Sequence, residues 1–331
     1  MDHTRIDIPI QSPVASLNWR GDVLIDWAGG NRVIGLNGED SGSKFITSFG
    51  FDAAVQSPSG RYSVLYERLG TKAVVFERAN HVREFNRSYY FANSYEYPIA
   101  LFTHPDGRDL IAHCPDEYNR IEIEELATGK RLTGNVERKP DDFFHSRLAV
   151  SPDQRRLLST GWIWHPLNSA ALWSIDSALV DPRTLDVSKA PDGGAGVEIN
   201  DATFVDSDRV LLSSNLGAED FAYDRVSPFR TGHVGIFDLR RDAFELVTGL
   251  SERVGSMLWL GDGMFVGFYE TPRVFDLATG KVTFRWPDIA TPRQDSSIIL
   301  HYESLPPLAL DPVRRRFAVA ANDRITVIQF R

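Results

Sequence analysis

At 331 residues, with 42% hydrophobic and 11% aromatic content, the chain carries ample apolar material for a large core. No run approaches the roughly 18 apolar residues of a membrane-spanning helix, and the net charge of −9 argues against broad binding to a phosphate backbone. A lone cysteine, Cys114, excludes an intramolecular disulfide and fits a reducing compartment.

The start, Met1-Asp2-His3-Thr4-Arg5, lacks the cationic and then apolar pattern of a secretory leader, so a cytoplasmic protein is expected. A single strand over 5–10 follows, with Ile6, Ile8 and Ile10 at every second position. From there a phrase of three short apolar strands recurs about every fifty residues. The first copy holds Ala15-Ser16-Leu17, Val23-Leu24-Ile25 and Arg32 to Leu36; the second Ala53 to Val55, Tyr62 to Leu65 and Ala73 to Glu77. The third holds Ile99 to Phe102, Asp109 to Ala112 and Arg120 to Ile123; the fourth Leu148 to Val150, Arg156 to Ser159 and Ala171 to Ile175. The fifth, sixth and seventh begin at Ala202, Met257 and Pro307. Turns such as His104-Pro105-Asp106-Gly107-Arg108 and Ser151-Pro152-Asp153-Gln154-Arg155 join the first two strands of a copy. A unit of this size cannot bury its own apolar face, so the copies must stack on one another.

Two copies carry the same hairpin, Leu126-Ala127-Thr128-Gly129-Lys130 and Leu277-Ala278-Thr279-Gly280-Lys281, after a third strand ending in Phe275-Asp276 or Glu124-Glu125. Others end in Phe237-Asp238 and Ile175-Asp176. In these features the chain resembles the WD-repeat β-propellers, whose third strand closes with Trp-Asp before such a turn. The family's Gly-His dipeptide precedes the first strand of a blade, whereas Gly232-His233 here abuts a third strand. The resemblance implies an all-β, seven-bladed β-propeller spanning 1–331 as one domain. It also implies that strand 5–10 completes the last blade, about 305–331, and closes the ring. Pro9 suits such an outermost strand, because outward N–H groups there are unpaired.

Three connections exceed plain hairpins: Asp181 to Gly196, Asn215 to Gly232 and Pro287 to Glu303. The first, with Pro182, Pro191 and Gly193-Gly194, reads as a flexible excursion. The family arrangement places loops of these types on one face, around a mouth of the central channel. Aromatic residues gather in other connections expected on that face. Tyr89, Tyr90, Phe91, Tyr95 and Tyr97 put five rings in nine positions, Phe143-Phe144-His145 leads into copy four, and Trp162-Ile163-Trp164-His165 follows its second strand. Tyr and Trp supply the contact area of binding hot spots, and they equally fill packing between blades. The candidate binding residues are therefore Tyr89, Tyr90, Tyr95, Tyr97, Phe144, His145, Trp162, Trp164, His165, Tyr223, Arg225, His301 and Tyr302.

Signatures of chemistry are missing. The eight histidines include no pair at metal-ligand spacing, and Cys114 has no second thiolate. Asp116-Glu117, Asp141-Asp142 and Glu219-Asp220 read as solvated acidic pairs, and Arg314-Arg315-Arg316 as a solvated turn. There is no Gly-x-Ser-x-Gly elbow, and neither Gly-Lys dipeptide sits in a phosphate-binding loop. No cofactor and no metal is expected. The reading is a protein-binding scaffold or partner subunit rather than an enzyme, with another protein as partner and neither nucleic acid nor membrane. The alternative is an enzyme or a binder of a small ligand, a sugar or another cyclic molecule, sited near Tyr97, His145, Trp164, His165, Tyr223 and His301 in the channel mouth.

Overall fold

The computed structural model describes residues 2–45, 49–164, 167–193, 195–217, 227–298 and 306–331. These residues form seven antiparallel sheets, each running outward through consecutive strands. Inner strands of neighbouring sheets touch in sequence order, and sheets six and seven share one apolar cluster, so the sheets close into a ring. The protein is a seven-bladed β-propeller.

Blade seven carries the closure. Its strands Leu308–Asp311, Arg316–Ala320 and Arg324–Phe330 are completed on the outside by His3–Pro9 from the other end of the chain. His3 pairs with Phe330, and Pro9 with Arg324. Ile8 and Ile10 are buried between blades seven and one, while Ile6 is half-buried at the rim. The alternation seen in the sequence thus turns one face of the strand inward.

Blades two, five and six also have four strands, whereas one, three and four have three. In blade one the first strand is Asn18–Arg20, three residues later than Ala15-Ser16-Leu17. The cause is Asp26, whose buried carboxylate accepts the backbone N–H groups of Ala15, Ser16 and Gly29 and so takes donors that a strand ladder would need. The third strand of blade three is Glu122–Glu125 rather than 120–123, and beyond it only a single bridge, Glu124 to Arg131, stands in for a fourth.

Blade four departs further. Its third strand stops at Ser174, and Ile175-Asp176, read from the sequence as a strand end, begin the helix Ile175–Val180. The Ser174 hydroxyl accepts the Ser177 N–H, Asp176 sits favourably in the first turn, and Pro182 starts the following 3-10 turn Pro182–Leu185. The described residues 181–193 are therefore partly helical and docked, with Leu185 in the core and Asp186 ion-paired to buried Arg138.

The apolar core is divided into seven clusters that each combine side chains of two adjacent blades. Tight turns link neighbours at the strand one–two ends: Ser59 donates to Asp109 (2.8 Å), Ser207 accepts the Asp153 N–H (3.2 Å), and Arg156 donates to Asp208 (3.0 Å). Arg316, expected in a solvated turn, is instead buried. Its guanidinium lies 3.7 Å from the centre of the Trp19 ring and donates to Asp311 and to the Gly21 carbonyl, joining blade seven to blade one.

Candidate functional site

An eighth apolar cluster belongs to no blade interface. Tyr95, Phe144 and Trp162 form it, with Tyr118 and Ile298 against them. The opposite ends of blade four's strand pairing bring these rings together. The strand Arg156–Ile163 forms a two-way bridge with the approach to blade four: Phe144 N–H donates to the Trp162 carbonyl (2.8 Å), and Trp162 N–H to the Phe144 carbonyl (3.1 Å). This close approach requires Gly161, where a Cβ would stand 2.0 Å from the Phe144 carbonyl oxygen. The Phe144 ring then stacks on the Trp162 indole at 3.7 Å and 8°, and Tyr118 stacks near Phe144 at 4.1 Å.

The segment 88–97 is held over this base by Arg87. Its buried guanidinium lies 4.7 Å from each of the Tyr95 and Tyr97 ring centres and donates to the carbonyls of Gly70, Ala92 and Tyr95. Burial alone would push both phenols to ionise less readily, and Arg87 only partly offsets it, so they stay neutral. Phe91 adopts φ +52°, the left-handed region that a residue with a Cβ enters at a cost of about 1 kcal/mol. The strain turns its ring outward against Tyr90 (4.9 Å) and Trp164 (5.3 Å).

The expected site residues therefore split by burial. Tyr95, Tyr97, Phe144, His145 and Trp162 are interior; Tyr89 is 86% exposed, Tyr90 46% and Trp164 38%, and Phe91, not among the expected residues, joins them at 41%. Trp162 and Trp164 differ because the strand ends at Ile163 and Trp164 lies in the turn beyond it. The exposed rings of Tyr90, Phe91 and Trp164 lie edge to face against one another, with Tyr90 and Trp164 centroids 6.4 Å apart. His165, Tyr223, Arg225, His301 and Tyr302 lie outside the described residues.

His145 has the chemistry of a core residue. Its Nε2 faces the Asn119 carbonyl (3.2 Å), which requires the proton there and leaves Nδ1 beside the Ser159 hydroxyl (3.4 Å). Burial pushes its pKa down to about 3, against the pull of the Asn119 carbonyl, so the ring is neutral. Among the described residues no three His, Cys, Asp or Glu side chains are grouped to hold a metal ion. Of the acidic pairs, Asp116 is ion-paired with Arg131, Asp141 accepts from Ser188 (2.8 Å), and Asp142 accepts the Tyr118 hydroxyl (2.6 Å). Glu219-Asp220 lie outside the described residues.

Sequence reasoning passed over the channel mouth's polar chain. Arg147 pairs with Asp201 (3.1 Å), the Asn200 carboxamide accepts from the Asn215 N–H (2.8 Å), and Asn215 accepts from Val254 (3.0 Å). The connection after blade six joins it: Asn215 donates to the Asp295 carbonyl (3.2 Å), Arg253 pairs with Asp295 (3.0 Å), and Ile298 bridges to Tyr95. Blades six and three stand on opposite sides of the ring, so the stretch 290–298 crosses the mouth. A signal existed in Asn200, Asn215 and Asp295, but isolated polar residues in loops carry no spacing pattern.

Two cavities lie elsewhere. One of about 210 Å³ is walled by the inner strands of blades seven, one and two, with Ser16, Asn18, Asp52, Tyr66 and Arg68 as its polar lining. The other, about 190 Å³, lies between blades four and five against Trp173, Lys189 and Phe237.

No family model matches the chain, and no curated protein matches it in sequence. Solved structures similar in fold include BamB from Moraxella catarrhalis, 13% identical, with a TM-score of 0.52 over 100% of this chain and 98% of that one. A chain in the structure of the Mitotic Checkpoint Complex is 10% identical, with a TM-score of 0.60 over 99% of this chain and 91% of that one. At such identities the likeness is one of fold.

Proposed function

We propose that the chain is a protein-binding propeller that engages its partner through the plateau of Tyr89, Tyr90, Phe91 and Trp164. The observation that carries this reading is the eighth cluster, an aromatic base outside every blade interface with a solvent-exposed aromatic roof. Contiguous exposed aromatics on a rigid base match the composition of interface hot spots. The fold's likeness to a chain within an assembly, the Mitotic Checkpoint Complex, supports the same reading. A soluble cytoplasmic setting is part of the proposal, since it gives the plateau access to cellular proteins.

The test compares native purification of the wild type with that of the Tyr90→Ala/Trp164→Ala double variant. The wild type should bring down a stoichiometric partner, and the variant should lose it while keeping its melting temperature. A partner retained by the double variant overturns the face, and no stoichiometric partner at all overturns the function.

A small-ligand reading has one observation in its favour, the channel cavity with the buried and unpaired Asn18 Oδ1 on its wall. At about 210 Å³ the cavity is smaller than the roughly 300–1,000 Å³ usual for ligand sites, which places this reading second.

A further inference from the structure

The plateau has an acidic margin. Asp142 and Glu117 are both exposed; Asp142 holds the Tyr118 hydroxyl, and Glu117 precedes Tyr118 in the chain. Tyr118 in turn lies 5.0 Å from Tyr90 and 4.1 Å from Phe144, so the Asp142 carboxylate borders the rings through Tyr118, and exposed Glu117 stands one residue from it along the chain. Burial, and then the Asp142 carboxylate, hold the Tyr118 phenol in its protonated form, so the phenol is the donor of that hydrogen bond. Of the cations nearby in the chain, Arg120 is committed to Glu122, Arg131 to Asp116 and Glu124, and Arg138 to Asp186, while Lys139 is exposed.

The chain itself shows what kind of side chain the aromatic base accepts. Ile298, delivered by the stretch that crosses the channel mouth, packs on Tyr95, Phe144 and Trp162. An aliphatic side chain on an aromatic face is thus already present in the fold. The rings of the roof are too close together to enclose a lone ammonium group, with centroids 4.9 Å apart for Tyr90 and Phe91 and 5.3 Å for Phe91 and Trp164. Their outer faces nevertheless favour a guanidinium or ammonium lying across them.

We propose that the partner is a basic, extended protein segment, with a large apolar residue seated on Tyr90, Phe91 and Trp164 and flanking lysines or arginines facing Asp142 and Glu117. This rests on the protein-binding reading above. Charge complementarity acts at two ranges: the margin selects cations at contact distance, and the net charge of −9 raises the encounter rate of a basic partner.

The experiment selects binders to the full chain from a phage-displayed random dodecapeptide library, then measures affinity for wild type, Trp164→Ala and the Asp142→Asn/Glu117→Gln double variant. The asparagine keeps an acceptor for Tyr118 and removes only the charge. Selected peptides should combine Lys or Arg with an apolar residue. Their affinity should fall about tenfold in the charge-neutral variant and about tenfold in the wild type between low and high salt. Peptides that need Trp164 but are neutral or acidic, or that bind equally in both salts, overturn the basic-partner inference alone. Peptides indifferent to Trp164→Ala overturn the protein-binding face beneath it.

Discussion

Asp201 should titrate against the direction of ordinary acid denaturation. Burial raises its pKa to about 6, and the Arg147 guanidinium only partly counters that. Between the unfolded value of about 3.9 and the folded value, the native state holds more protons than the unfolded one. The stability this group contributes is therefore fully present below about pH 4 and is lost as pH rises through about 6. The carboxylates held low, such as Glu124 at about 2, act oppositely and are unchanged by a substitution at 201. Urea unfolding of wild type and Asp201→Asn from pH 4 to 7 should show the difference between them changing across this window in that sense. A constant difference would remove Asp201 as the cause. At this scale the sequence showed which residues were unusual but not which way they faced. Trp162 and Trp164 share a strand face on paper, yet only Trp162 still belongs to the strand. His145 stood among candidate ligand-binding residues, yet burial keeps its ring neutral, and the carbonyl that fixes its tautomer lies 26 residues away, where no spacing rule reveals it.

Elements were legible where apolar side chains made the bonds, and illegible where polar ones did. The inner strands of blades two to seven lie within a few residues of their expected positions, because their alternation is driven by burial. Outer strands carry little such signal, and in blades one and three side chains replace them: Ser41 accepts the Val33 N–H, and Thr133 accepts that of Ile123. The bridge that seats the aromatic base was hidden because it depends on a missing side chain. Gly161→Ala would drive a Cβ into the Phe144 carbonyl, and it should cost roughly 2–4 kcal/mol. Gly50→Ala, with open space around its Cβ and no left-handed φ, is the control and should stay within about 0.5 kcal/mol. Paired thermal denaturation checks both, and equal melting temperatures would show that the Phe144–Trp162 bridge yields easily.

For the whole molecule, the period of the repeats was sufficient to read the ring, since units that cannot bury their own faces leave few other arrangements. A strand at the start was plain from Ile6, Ile8 and Ile10, while its closing of the ring was implied by the resemblance to WD-repeat propellers and is met by its pairing with Arg324–Phe330. The binding face was legible only as a concentration of rings, because which of them remain outside depends on contacts between loops far apart in the chain. Removal of residues 1–10 strips the buried Ile8 and Ile10 from the blade seven–one interface and exposes the edge of Arg324–Phe330. We expect a loss of about 2–5 kcal/mol, comparable with deleting a few buried aliphatic groups. An unchanged denaturation midpoint in the truncated chain would mean that the ring holds without its outer clasp.

That clasp also has a direction of weakness. His3 and Phe330 lie opposite each other at one end of the closing pair, while Pro9 and Arg324 lie at the other. A pull applied beyond this end loads the Asp2–Arg331 contact first, then His3 and Phe330, then Thr4 and Gln329, and so peels the strand away pair by pair. The same seven pairs would resist together only if the load ran along the strands in shear. A ring stapled by its own ends is thus firm against heat, which must loosen every interface, and soft against a tug on those ends.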